Sequence, residues 1–176
     1  MSNMSFFASF QRRLRVPFLS TFFVACLFLI SLVALAQVTL KYRMLNGYFL
    51  SNDAPVNKGK PTLFVFEQAE TFEKVFKPAT TMSKRPDVPN FNKEMVVGIA
   101  LPATNKPPKL SISRVFVQDS VMTIRYIRMA DTTLNKTPLS FTTQPMLLVA
   151  LPTQSVLSTR LIENGKVVLT LKKQDD

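Results

Sequence analysis

Residues 94–102 read Glu-Met-Val-Val-Gly-Ile-Ala-Leu-Pro, and their alternation decides the fold. In an extended chain Met95, Val97, Ile99 and Leu101 share one side, while Gly98 and Ala100 leave room on the other for something to pack closely. Pro102 ends the run. Downstream, residues 110–117 and 121–129 repeat the β-branched, alternating pattern on either side of Gln118-Asp119-Ser120, a tight polar turn, and so predict a hairpin. Residues 146–151 are continuously apolar between Pro145 and Pro152, which predicts a strand buried on both faces. A second hairpin is expected where residues 157–163 and 166–171 flank Asn164-Gly165, because that dipeptide accepts the positive φ angles of a two-residue turn.

Upstream the pattern changes period. Residues 62–66 are β-branched and aromatic, a buried strand, and residues 68–77 place Ala69, Phe72, Val75 and Phe76 at helical spacing before Pro78. Glu67, Glu70 and Glu73 lie toward the start of that helix and Lys74 and Lys77 toward its end, as the helix dipole favours, although no Ser, Thr, Asp or Asn caps it. Residues 37–60 are mixed and turn-rich, with one short extended stretch at 48–50, and read as a leader strand or tether. Residues 61–176 are expected to form one α+β domain, a short amphipathic helix packed on a mainly antiparallel sheet of about six or seven strands.

The first 36 residues have the parts of a secretory signal. Arg12, Arg13 and Arg15 precede an apolar run from Val16 to Val33, and Ala34 and Ala36 provide a small-x-small site with cleavage between Ala36 and Gln37. A helix over residues 16–36 would be about 31 Å long, enough to span a bilayer, so an uncleaved membrane anchor is the alternative. Either way the domain is expected outside the cytoplasm, in the periplasm or on the cell surface. Membrane contact is expected only through residues 16–36, and only if they are retained.

The domain that remains is basic. Loss of Arg12, Arg13 and Arg15 lowers the net charge from +11 to +8, with 11 acidic residues retained. The chain has no histidine, and its one cysteine, Cys26, lies inside the apolar run, so a cleaved domain has no imidazole base, no thiolate and no disulfide. Four scattered glycines supply no phosphate-cradling loop. No catalytic residue, metal ligand or cofactor is assigned, and the chain is read as a non-enzyme.

Of the cations, Lys58, Lys60, Lys84, Arg85, Lys106 and Lys109 fall in loops and Arg114, Arg125 and Arg128 in the first hairpin; Lys106, Lys109, Arg125 and Arg128, with Tyr126 between the last two, are the binding candidates. An acidic protein partner, an anionic glycan or lipid headgroups would suit them. Nucleic acid is not expected, because no basic and aromatic alternation forms a stacking platform. Asp119-Ser120-Val121 and Asp131-Thr132-Thr133 resemble a bacterial O-glycosylation site on exported proteins, making Ser120 and Thr132 candidate acceptors. Asn135-Lys136-Thr137 is a formal N-glycosylation sequon.

The string Arg85 to Pro102, containing Asn92-Lys93-Glu94-Met95-Val96-Val97, and the later Thr143-Gln144-Pro145 ahead of an apolar strand resemble the C-terminal domain of PrcB-type protease-complex subunits. The resemblance covers residues 61–152. Where that family has a Gly-Gly-Tyr loop this chain has Ala103-Thr104-Asn105-Lys106-Pro107-Pro108-Lys109. The resemblance implies an exported, non-catalytic subunit that helps assemble or stabilise a protease or envelope complex. It leaves two other expectations beside it: a small-ligand or glycan-binding module with the Gly98 and Ala100 face as its floor, and a protease inhibitor inserting residues 105–108. Protein contact would use a sheet edge or the loops at residues 83–92 and 103–109.

Overall fold

The computed structural model describes residues 37–79 and 85–173. The leader, with the expected cleavage position Ala36, lies outside the described residues, as do residues 83 and 84 of the first expected binding loop. The strands in chain order are β1 (Val38–Thr39), β2 (Arg43–Met44), β3 (Tyr48–Leu50) and β4 (Thr62–Phe66), followed by helix α1 (Ala69–Val75) and β5 (Phe76–Pro78). Then come β6 (Glu94–Ala100), β7 (Lys109–Gln118), β8 (Val121–Met129), helix α2 (Thr132–Lys136), β9 (Met146–Pro152), β10 (Ser158–Glu163) and β11 (Lys166–Lys172).

A helix does pack on antiparallel β-structure, but the strands are more numerous than expected and form three sheets. One sheet has five strands in the order β1-β7-β8-β10-β11, another four in the order β2-β9-β6-β4, and β3 pairs with β5 as a ribbon. All pairings are antiparallel except β8 with β10. The four-stranded sheet is the middle layer. Met95, Val97, Ile99, Leu147, Val149 and Leu151 face Val115, Met122, Ile124, Tyr126 and Leu161 of the five-stranded sheet in one core. In a second core, Phe64, Phe66, Val96, Leu148 and Ala150 meet Leu45, Phe72, Val75 and Phe76 from α1 and the ribbon. Burial on both faces is why β6 and β9 read as nearly unbroken apolar runs.

Residues 38–50, read as a leader strand or tether, supply one strand to each of the three sheets. Leu40 and Leu45 are buried beside them, and their amides donate to the carbonyls of Val115 and Leu148 at 2.9 Å. The expected helix over residues 68–77 stops at Val75. Phe76 is extended (φ −118°, ψ 127°), and residues 76–78 pair with 48–50 instead, a long-range competitor that local periodicity does not reveal. As the sequence indicated, no side chain caps α1 at Gln68; α2, not expected, is capped by Asp131, whose carboxylate accepts from the Thr133 amide.

Both hairpin turns adopt the conformation their residues favour. Asp119 and Ser120 have φ of 50° and 59°, and Asn164 and Gly165 have 48° and 85°, in two-residue loops with positive φ throughout.

The space beside Gly98 is filled from within the chain. A Cβ built on Gly98 would lie 2.9 Å from two atoms of the Phe76 ring and 3.1 Å from Leu148. Ala100 is equally buried. The floor expected there for a glycan or small ligand is therefore the seat of Phe76, since the missing side chain is what lets that ring press against the strand.

Candidate protein-binding face

Among the described residues the five-stranded sheet is covered on its inner face alone. Its outer face is set by a bulge in β7. Strict alternation would put Ile112, Arg114 and Phe116 on one side, but the ladder shifts between Ile112 and Arg114, leaving Ser113 as an extra residue. Leu110 and Ile112 before the bulge and Val115 and Val117 after it all join the core. Arg114 and Phe116 are turned outward.

Arg114 stands directly opposite Arg125 of β8. Like charges in that position repel. Both guanidinium groups lie over the Phe116 ring between them, at 5.2 and 5.5 Å from its centroid, which offsets part of the repulsion at about 0.5–1 kcal/mol per exposed contact. The two side chains leave the Phe116 residue only 5% exposed, and Arg114 also donates to Thr39 Oγ1 at 2.8 Å. One strand further across, Arg160 of β10 sits between Thr123 and Thr170, and Ile162 between Arg125 and Val167.

No Asp or Glu side chain from the five strands lies on this outer face. Among the described residues the ion pairs are Arg43–Glu94, Lys109–Asp131, Arg128–Glu163 and Lys173–Glu67, so Arg114, Arg125 and Arg160 are uncompensated. The result is a cationic surface with apolar groups set among the charges.

The five residues singled out from the sequence do not form one site. Arg125 is on the outer face. Tyr126 is 1% exposed and points into the core, so its expected contact with a partner is corrected: adjacent strand residues face opposite ways. Its hydroxyl donates to Glu163 Oε2, and Arg128 lies 3.6 Å from the other oxygen of that carboxylate. Asn164 exchanges two hydrogen bonds with the Arg128 backbone. Tyr126, Arg128 and Glu163 thus lock the parallel β8–β10 pair.

Lys106 is exposed in the loop, and Lys109 reaches Asp131 at 3.5 Å. That loop is tied down, because Thr104 and Thr143 exchange backbone bonds and the Asn105 carbonyl accepts from Leu139. Ser120 and Thr132 are exposed at the hairpin turn and at the start of α2. Gln37 is exposed, with its side-chain amide donating to Gln118. Sequence reasoning missed Phe116 and Arg160; the Arg160–Ile162 alternation was readable, but the bulge that exposes Phe116 to two arginines was not.

Burial first, then the hydrogen bond and charge of Glu163, raise the Tyr126 phenol well above the ordinary tyrosine value of about 10, with Arg128 opposing. A raised phenol favours the folded state fully below the unfolded pKa and loses that contribution as pH rises through the alkaline range above 10. Thermal midpoints measured from pH 8 to pH 11.5 are expected to fall more steeply for the wild type than for Tyr126→Phe; parallel curves would remove Tyr126 from the alkaline transition.

Among the described residues no helix is long and apolar enough to cross a membrane. No protein-family model, no curated protein and no solved structure matches this chain.

Proposed function

We propose that this chain is an exported, non-catalytic accessory domain that binds an acidic protein partner through the outer face of the five-stranded sheet, as a subunit stabilising a protease or other envelope complex. One observation carries the reading: the middle sheet is covered on both faces by its own chain, whereas among the described residues nothing covers the outer face of its neighbour, which presents Arg114 and Arg125 over Phe116, and Arg160 further across, with no carboxylate from its strands. Arginine and aromatic groups together are what protein interfaces concentrate at their centres. The leader and the resemblance of residues 85–102 and 143–145 to PrcB-type subunits support the export and accessory parts of the reading.

Arg125→Glu/Arg160→Glu tests it. Both side chains are exposed, so the thermal midpoint should stay within about 2 °C of wild type. In gentle size-exclusion of the solubilised envelope, the wild-type chain is expected to elute with an associated polypeptide that dissociates as salt is raised. The variant is expected to elute alone. A wild-type chain that elutes as a lone monomer at low salt, or a variant that retains its companion, would defeat the proposal.

A further inference from the structure

The five-stranded sheet ends differently on its two sides. At one side the edge is β1, two residues long; at the other it is β11, seven residues long, with no strand beyond it among the described residues. The Lys173 amide donates to the Leu157 carbonyl at 2.9 Å, so strand alternation directs the backbone groups of Leu171 and Leu169 toward β10. The N–H and C=O groups of Thr170 and Lys172 then face outward, with no strand among the described residues to pair them. Val167, Val168 and Leu171 of this strand are exposed, with Leu157 beside them. Edge strands are ordinarily protected by central charges, proline or brevity. This one carries its lysines only at the two ends, Lys166 and Lys172.

The edge also opens on a cleft. β4 is the corresponding edge of the middle sheet, and between the two edges lies a cavity of about 640 Å³ lined by Val65, Thr71, Val156, Thr159 and Leu171. Lys173 and Glu67 are paired at 2.7 Å at its margin. A strand laid along β11 would set alternate side chains over this cleft and the others beside the cationic outer face.

A second copy of the chain is a poor occupant. Antiparallel self-pairing would bring Lys166 of one copy to the same end as Lys172 of the other, on opposite faces because the β10–β11 ladder shifts between Leu161 and Ile162, and gathering like charges at both ends opposes it. We propose that β11 instead receives, as an added strand, an extended segment of a partner protein with β-branched residues at its centre and a carboxylate at each end. This rests on the reading that the chain works by binding protein, and it names the form of the bound segment.

The test uses the full chain and two end-blocked, fluorescently labelled heptapeptides, Glu-Val-Thr-Val-Thr-Val-Glu and its counterpart with Lys at both ends. Fluorescence anisotropy is expected to give at least tenfold tighter binding of the Glu-ended peptide, and hydrogen exchange to slow at the Thr170 and Lys172 amides. Lys166→Glu/Lys172→Glu should reverse the preference. Thr170→Pro, which removes an outward N–H without touching the ladder to β10, should abolish binding at an unchanged thermal midpoint. Equal binding of the two peptides, no binding of either, or an unreversed preference in the charge-swapped chain would overturn the proposal. Protection confined to β7 and β8 would overturn it too, while leaving the Arg-face reading to its own test.

Discussion

Phe76→Ala is expected to lower the thermal midpoint of the domain by about 10 °C or more, the largest effect of any single truncation outside the central strands. Phe76 is fully buried and its ring lies 5.6–5.8 Å from the rings of Phe64, Phe66 and Phe72, edge-on to the first two and stacked on the third. It also rests on Gly98. Phe→Ala in such a setting costs about 3–5 kcal/mol, because the cavity can collapse only partly, and a domain of this size loses about 3 °C per kcal/mol. Phe76 joins α1 to β5, so its loss also loosens the cover over the middle sheet. Differential scanning calorimetry checks this directly: a fall of under 5 °C would mean that the aromatic cluster repacks and that the layer above the sheet is more plastic than its geometry implies.

Gly98→Val should be nearly as damaging for the opposite reason. Even a bare Cβ comes within 2.9 Å of the Phe76 ring, and the two further carbons of valine occupy space the ring already fills. Overpacking of this kind costs about 1–3 kcal/mol, with more expected where the neighbour is itself hemmed in by other rings. The two sites are predicted to be coupled: Phe76→Leu should restore part of the stability lost in Gly98→Val, so that the double variant is more stable than the sum of the single effects allows. Urea unfolding of the four proteins gives the coupling energy, and strict additivity would show that the ring does not depend on the glycine.

How much of this architecture was readable from the residues depends on what each segment required. β9 was legible because prolines bound an unbroken apolar run, and both hairpins were legible because Asp119-Ser120 and Asn164-Gly165 suit positive φ. These are local signals. The division into three sheets was not legible, since β6 and β9 look alike whether their second face meets a helix, a ribbon or another sheet. Residues 48–50 were legible as a short extended stretch, but the strands of residues 38–50 are only two or three residues long, too short for any period to say which sheet each joins. Residues 76 and 77 continued a good helical pattern and were drawn away when 76–78 paired with 48–50. At the candidate face, the identity of Arg125 as an outward cation could be read from alternation. The pairing of Arg114 with it over Phe116 could not, because one extra residue at Ser113 exchanges inside for outside along the rest of the strand.

The parallel pairing of β8 with β10 constrains how the molecule can be made. After β8 the chain leaves its sheet, threads the interior of the opposing layer as β9, and only then comes back to lie beside β8. A polypeptide interrupted before Ser158 would hold every strand of the middle layer but lack the two that finish its lid, leaving Met95, Val97 and Leu151 short of neighbours such as Leu161. Distant pairings of this sort close slowly. Folding must therefore await the β10–β11 hairpin, and nonsense or frameshift lesions late in the coding sequence should yield insoluble product instead of a trimmed but serviceable domain.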